Sequence, residues 1–165
     1  MDRDLQTVLR ADNPWLEDES RVTEWLRSHV PAPYLPRAAS AGARARWKDA
    51  RRAHLVIGPR QAGKSTVLWA HLADLGEPVL HLDCEQRLVQ QWCRSAPLFL
   101  KDLASLVKRP TALFLDEVQH LEDAGLFVKG IIDRRKVGAP VFVTGSSSYH
   151  LGARTRESLA GRASR

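Results

Sequence analysis

The sequence has little of the chemistry that marks exported, membrane-spanning or disulfide-rich proteins. Only two of its 165 residues are cysteine, Cys84 and Cys93, too few for a disulfide framework and without the C-x-x-C spacing of redox or zinc sites. The longest charge-free stretch, residues 137–153, is interrupted by glycine, proline and hydroxyl residues, which excludes a spanning helix. The N-terminus, MDRDLQTVLR, is charged where an export signal would be apolar. We therefore expect a cytoplasmic protein with reduced cysteines.

The composition predicts a globular chain with an uneven charge distribution. Hydrophobic residues make up 44% and charged residues 27%, which is typical of one soluble domain. The formal net charge is +6. Residues 1–24 are rich in acids, whereas residues 37–60 carry seven basic residues against the single acid Asp49. A solvated helix face is the favoured interpretation of this basic segment, and contact with nucleic-acid phosphates is the alternative.

The pattern of apolar residues divides the chain into two parts. Residues 1–50 predict a helical and basic lead-in segment, with helical spacing in RVTEWLRSHV and an interruption at PAPYLP. Residues 51–165 predict an α/β domain, because short apolar runs alternate with stretches of helix length. The runs are AHLVIG, PVLHLD, TALFLD and APVFVTG. They are expected to form parallel strands buried on both faces, with their carboxyl ends at the edge where ligands bind.

A glycine-rich loop follows the first of these strands. The stretch LVIGPRQAGKSTVL fits the pattern G-x-x-x-x-G-K-[ST] between a strand and a helix. In this context backbone N–H groups and the helix N-terminus surround a phosphate, a lysine reaches the β- and γ-phosphates, and a serine hydroxyl ligates Mg²⁺. A plain glycine turn is the alternative. The residues predicted to bind nucleotide are Gly58, Pro59, Arg60, Gln61, Ala62, Gly63, Lys64, Ser65 and Thr66.

Polar residues end two other predicted strands. TALFLDEVQH places Asp116 where it could hold Mg²⁺ and Glu117 where it could activate a water, although an acidic pair at a helix start is the alternative. APVFVTGSSSYH places Ser146 or Ser147 near a γ-phosphate, if this strand inserts between the other two motif strands; a Gly/Ser turn is the alternative. Three histidines on strands and a helix, His54, His71 and His81, have no metal-like spacing and are predicted to be packing or surface residues.

Four segments together resemble bacterial and archaeal AAA-type P-loop ATPases, in which the ATPase core precedes a winged-helix region and a poorly characterised C-terminal domain. The segments are GPRQAGKST, LFLDEVQHL, VFVTGSSS and RESLAGR, and the resemblance covers residues 55–162. It implies that residues 58–66 are Walker A, that Asp116 and Glu117 are Walker B, and that Ser146 or Ser147 is a sensor. It also implies a phosphate-sensing or subunit-bridging role for Arg162, for which a surface arginine is the alternative.

The resemblance also sets the expected fold. It implies a P-loop NTPase three-layer sandwich with a mainly parallel sheet, preceded by an N-terminal helical segment. Chains of that family continue well beyond SLAGR, whereas this sequence ends at Arg165. The sheet is therefore expected to lack its last strand, which would leave an unpaired edge.

The leading functional hypothesis is a hydrolase that binds ATP with Mg²⁺, with Lys64 and Glu117 as catalytic residues and Ser65 and Asp116 as metal ligands. The first alternative is a nucleotide-dependent switch with little turnover, read by a protein partner or a second copy of the chain. The second is nucleic-acid binding through residues 37–60, which is less favoured. A GTPase is disfavoured because no N-K-x-D element occurs, and a small-molecule kinase because no second substrate element follows the third motif. No membrane partner is expected.

Overall fold

The structure, a computed structural model, describes residues 1–36, 47, 49–108, 111–134 and 139–146, together with the backbone of 163–164. We call residues 1–36 the N-terminal segment. It is helical, as predicted, and consists of α1 (Arg3–Asp12), short 3-10 turns at Pro14–Leu16 and Glu19–Arg21, and α2 (Val22–Ser28).

Side-chain caps explain where these helices begin. Asp2 accepts hydrogen bonds from the backbone N–H groups of Asp4 and Leu5 and so caps α1. Asp18 accepts the N–H of Ser20 at 3.0 Å and caps the turn that leads into α2. The apolar sides of both helices are buried: Leu9 and Leu26 are both 0% exposed.

The rest of the described chain alternates strands with helices. The strands are β1 (Ala53–Gly58), β2 (Val79–Asp83), β3 (Ala112–Asp116), β4 (Val141–Ser146) and β5 (Ala163–Ser164). The helices are α3 (Lys64–Leu75), α4 (Arg87–Trp92), α5 (Ala96–Leu106) and α6 (Ala124–Arg134), with a 3-10 turn at Val118–His120. The first four strands coincide with the four predicted apolar runs.

All strand pairs in the sheet are parallel, in the order β2-β3-β4-β1-β5. Consecutive residues of β3, Leu113, Phe114 and Leu115, are each 0% exposed. Because successive side chains point to opposite faces of a sheet, both faces are covered. The predicted α/β class, the parallel sheet and the insertion of β4 between β1 and β3 are therefore confirmed.

The edge of the sheet beside β1 differs from the expectation of a missing last strand. Ala53 pairs with Ala163, and His54 pairs with Ser164. Two residues of backbone thus pair beside β1, next to the four-stranded parallel sheet. The expectation followed from the point at which the sequence ends, whereas two residues are enough to begin a parallel pairing.

The opposite edge, β2, is covered by side chains of the N-terminal segment. The side chain of Asn13 accepts the N–H of His81 at 2.7 Å and donates to the carbonyl of the same residue at 2.9 Å. The indole N–H of Trp15 donates to the carbonyl of Val79 at 2.8 Å. These bonds satisfy backbone groups that an edge strand otherwise exposes. The predicted boundary between a lead-in at 1–50 and a core at 51–165 stays a prediction.

Two features bear on the predicted partners. No helix in the described ranges is long and apolar enough to cross a membrane. In the basic segment, Arg51 and Arg52 each lie 3.5 Å from a carboxylate oxygen of Asp49. Residues 37–46 and 48 lie outside the described residues, so both interpretations of the basic segment stay predictions.

Candidate functional site

The loop between β1 and α3 has the backbone geometry of an anion cradle. Gln61 and Gly63 adopt left-handed conformations, with φ of 58° and 71°. Such alternation turns successive N–H groups toward one side of a loop. Gly63 is also the residue that precedes α3, and it has no side chain to cap the helix. The first N–H groups of α3 therefore remain available to an anion, and the helix dipole favours negative charge there.

Lys64 begins α3 and lies under this loop. It is only 7% exposed. Its Nζ donates to the carbonyl of Pro59 at 3.1 Å and lies 3.8 Å from Oε1 of Glu117. The lysine charge is thus held between the loop and the end of β3, the region where the β- and γ-phosphates are predicted to bind.

Ser65 and Asp116 converge from different elements. The Ser65 hydroxyl donates to Oδ1 of Asp116 at 2.7 Å, and the Thr144 hydroxyl donates to the same oxygen. Burial favours the neutral carboxyl, but the nearby imidazole of His81 and the hydrogen bonds of Thr144 and Ser65 outweigh it. The pKa of Asp116 therefore lies below its ordinary value, and the group is a carboxylate at neutral pH.

Glu117 follows Asp116 in a left-handed conformation, with φ of 53°. Its backbone N–H donates to the Thr144 hydroxyl at 2.9 Å. The side-chain amide of Gln119 donates to Oε2 of Glu117, and the amide carbonyl accepts the N–H of Ser146 at 3.1 Å. Non-glycine residues rarely adopt this backbone conformation, and the bond to Thr144 holds the backbone in it. The bond from Gln119 fixes the direction of the carboxylate.

The predicted sensor residues fall partly inside the described ranges. Ser146 is the last residue of β4, is 3% exposed and pairs with Gly58, where the phosphate loop begins. The structure thus brings Ser146 to the same end of the sheet, where the parallel strands terminate, as Lys64, Asp116 and Glu117. Ser147 and Arg162 lie outside the described residues.

The donor set fits Mg²⁺ together with a phosphate ligand. A serine hydroxyl and an ionised carboxylate are hard oxygen donors, and they meet beside the helix N-terminus that would bind phosphate. Within the described ranges, no group of three or more His, Cys, Asp or Glu residues could hold a metal ion. Mg²⁺ suits such a site because it is usually bound by one or two carboxylates, retained waters and substrate phosphates.

Sequence reasoning gave no role in this site to three residues near it. Thr144 lies two residues before Ser146, and strand periodicity places both on one face, so a signal was present. Gln119 is two residues beyond Glu117, but its hydrogen bond depends on the backbone conformation of Glu117. His81 lies 3.8 Å from Oδ2 of Asp116, whereas sequence analysis predicted only packing or a surface position. The contact depends on the β2–β3 register, which the sequence does not display.

A separate groove of about 950 Å³ lies beside α6, away from these residues. Its lining includes Arg94, Leu126 and Lys129. None of the predicted site residues that the structure describes lines this groove.

Comparison with known proteins agrees with this geometry. A family model described as an AAA domain matches residues 50–165, more than half of the chain. An uncharacterised protein of Mycobacterium bovis and one of Mycobacterium tuberculosis are each 32% identical over 108 residues. Each alignment covers 66% of this chain and 23% of the relative, so the chain spans about a quarter of the length of those proteins.

Proposed function

We propose that this chain, which belongs to the AAA domain family, binds Mg·ATP at Gly58–Thr66 and hydrolyses it, with Glu117 as general base. Membership of the family supports a nucleotide-binding, ATPase-like domain. One observation carries the finer proposal. The Ser65 hydroxyl lies 2.7 Å from the Asp116 carboxylate, while Lys64, one residue earlier, lies 3.8 Å from Glu117. The adjacent residues Lys64 and Ser65 thus each face one of the two adjacent acids.

The chemistry we propose is in-line attack of water on the γ-phosphorus. A bond forms between the water oxygen and phosphorus, the bond to the β–γ bridging oxygen breaks, and ADP leaves with that oxygen. Glu117 accepts a proton from the attacking water. Lys64 exchanges its contact with Glu117 for phosphate oxygens and offsets their negative charge. Ser65 and Asp116 would hold Mg²⁺, which when bound neutralises charge on the phosphates.

The contacts of Glu117 favour one alternative within the same site. Its carboxylate is engaged by Gln119 on one oxygen and approached by Lys64 on the other. While Lys64 stays beside Glu117, the carboxylate is less available as a base, which suits a nucleotide-dependent switch in which binding changes the structure more than it drives turnover. A protein partner or a second copy of this chain would then read the nucleotide state. The cytoplasmic location and the less favoured nucleic-acid contact stay predictions.

Calorimetric titration with Mg·ATP tests the proposal, with phosphate release followed on the same samples. Lys64→Ala should abolish binding, because it removes the cation of the loop. Lys101→Ala is the matched control, since Lys101 is exposed on α5. Binding by wild type and control with phosphate release supports the ATPase; binding without release supports the switch. Equal binding by Lys64→Ala and wild type, or no binding by either, contradicts the proposed site.

A further inference from the structure

His81 occupies the position directly behind the Asp116 carboxylate. It is the middle residue of β2, and its register partner on β3 is Phe114. Its Nε2 lies 3.8 Å from Oδ2 of Asp116, whereas Ser65 and Thr144 bind the other oxygen, Oδ1. This Nε2 is buried and has no hydrogen-bond partner in the described part of the chain. Its ion-pair contact is with the carboxylate predicted to hold Mg²⁺.

The backbone of His81 is fixed by the N-terminal segment. Asn13, which is 0% exposed, binds both the N–H and the carbonyl of His81, at 2.7 and 2.9 Å. A side chain that makes both bonds defines the position of this residue along the β2 edge of the sheet. Burying an amide in this way is favourable only while its partners are in place. The position of the His81 backbone therefore depends on Asn13, and the burial of the Asn13 amide depends on its bonds to His81.

The ring of His81 is fixed by aromatic contacts that lead to the same segment. It packs against Trp69 of α3 and Phe114 of β3, with centroid distances of 4.9 and 5.2 Å. Trp69 in turn is stacked on His29 at 4.0 Å and meets Trp25 edge-on at 5.3 Å. The N-terminal segment thus supports both the backbone and the ring environment of His81.

We propose that His81 is a positioning residue for Asp116, and that the N-terminal segment sets the place of His81 through Asn13. With Oδ1 held by two hydroxyls, an imidazole beside Oδ2 limits rotation of the carboxylate. Loss of a group that orients a metal ligand typically costs about 10- to 100-fold in metal affinity. The inference rests on the proposed Mg·ATP site. It adds that the site extends into residues 1–36, outside the range matched by the AAA domain.

The first test compares His81→Phe with His81→Gln in the full chain. Calorimetric titration of Mg²⁺ into protein with ADP gives the metal affinity, and a titration with ADP alone gives nucleotide affinity. We expect His81→Phe to weaken the metal step by about tenfold or more and to leave metal-free ADP binding unchanged. His81→Gln, which keeps a nitrogen donor near Nε2, should recover most of the loss. The matched control is His71→Phe, because His71 packs on the same sheet face against Phe142.

The second test separates positioning from general support of the β2 edge. Asn13→Leu removes both bonds to His81, whereas Trp15→Phe removes one bond to Val79 on the same edge. Both variants should lower the free energy of unfolding, but only Asn13→Leu should weaken the metal step. An equal effect of the two variants would show that edge stability alone matters and would overturn the role given to Asn13.

Crystal structures of nucleotide-free wild type and His81→Phe give a readout that is independent of ATP. We expect the Asp116 carboxylate to rotate and lose its bond to Ser65 in the variant. An unchanged carboxylate, or an equal metal affinity in His81→Phe and wild type, would overturn the inference about His81. Failure of the wild type to bind nucleotide would instead contradict the proposed function, and the position of Asp116 in the variant would still decide the role of His81.

Discussion

Gln119 donates a hydrogen bond to the carboxylate of Glu117 and accepts the backbone N–H of Ser146 at 3.1 Å. One side chain thereby connects the proposed general base, which directly follows β3, with the end of β4, the strand expected to sense the γ-phosphate. A displacement of β4 by a bound phosphate would be transmitted through Gln119 to Glu117. Because of this connection, Gln119 is the first residue to substitute after the motif residues themselves.

We predict that Gln119→Leu lowers turnover while leaving nucleotide affinity within about twofold. The leucine has a similar volume but cannot orient Glu117, and a small misplacement of a catalytic group costs on the order of a hundredfold in rate. Phosphate release and calorimetric binding on the same samples measure the two effects. Gln91→Leu, at an exposed position of α4, is the matched control. Equal turnover in Gln119→Leu and wild type would rule out a role in orienting the base.

Ser65 is predicted to make nucleotide binding depend on the metal. Its hydroxyl contacts Asp116 at 2.7 Å and is the proposed Mg²⁺ ligand on α3. Wild type should bind ADP more tightly with Mg²⁺ than with a chelator, and Ser65→Ala should lose most of that difference. Ser105→Ala, which removes an exposed hydroxyl bonded to the carbonyl of Lys101, should keep it. If Ser65→Ala retains the wild-type response to the metal, the assignment of Ser65 as a ligand fails.

Acid is predicted to destabilise the fold through His29 and His54. Burial lowers the pKa of both rings below the ordinary value of 6.5, although hydrogen bonds to the carbonyls of Trp25 and Asp49 act in the opposite direction. The folded chain therefore binds fewer protons than the unfolded chain as the pH falls below about 6.5, and the free energy of unfolding declines there. Urea denaturation between pH 7.5 and 5 measures the decline.

The variants His29→Phe and His54→Phe should make the free energy of unfolding depend less on pH over that interval. Phenylalanine keeps an aromatic ring against Trp69 or Phe142 but takes up no proton. His120→Gln is the control, because His120 is exposed. The explanation would be wrong if the variants His29→Phe and His54→Phe lost stability with acid as steeply as the wild type.

The four main strands and the phosphate loop could be predicted from the sequence because both have local signals. Continuous apolar runs such as TALFLD identify buried strands, and the spacing of Gly58, Gly63 and Lys64 identifies the loop. Parallel connections then place Asp116 beside Ser65 without further information. For these elements the local pattern and the tertiary arrangement agree.

The residues missed by sequence reasoning depend on long-range geometry. His81 meets Asp116 only because β2 and β3 pair in one register, with Asp83 opposite Asp116. Asn13 reaches His81 across 68 positions of the sequence. Neither contact is marked by a sequence motif. A single asparagine or histidine among apolar residues is ordinarily interpreted as a packing residue. The same reasoning explains β5, where two residues pair without any apolar run.

The packing of α5 on α6 leads to the last prediction. A Cβ added at Gly130 would lie 2.7 Å from the Cβ of Ala96, closer than two carbon atoms can approach. Gly130→Ala should therefore lower the free energy of unfolding by about 1–3 kcal/mol, although alanine is the better helix former. Removing the opposing methyl in Gly130→Ala/Ala96→Gly should restore part of that loss. Denaturation of the wild type, both single variants and the double variant measures the coupling free energy between the two positions. If the changes in the free energy of unfolding are additive, the two helices do not touch at this point.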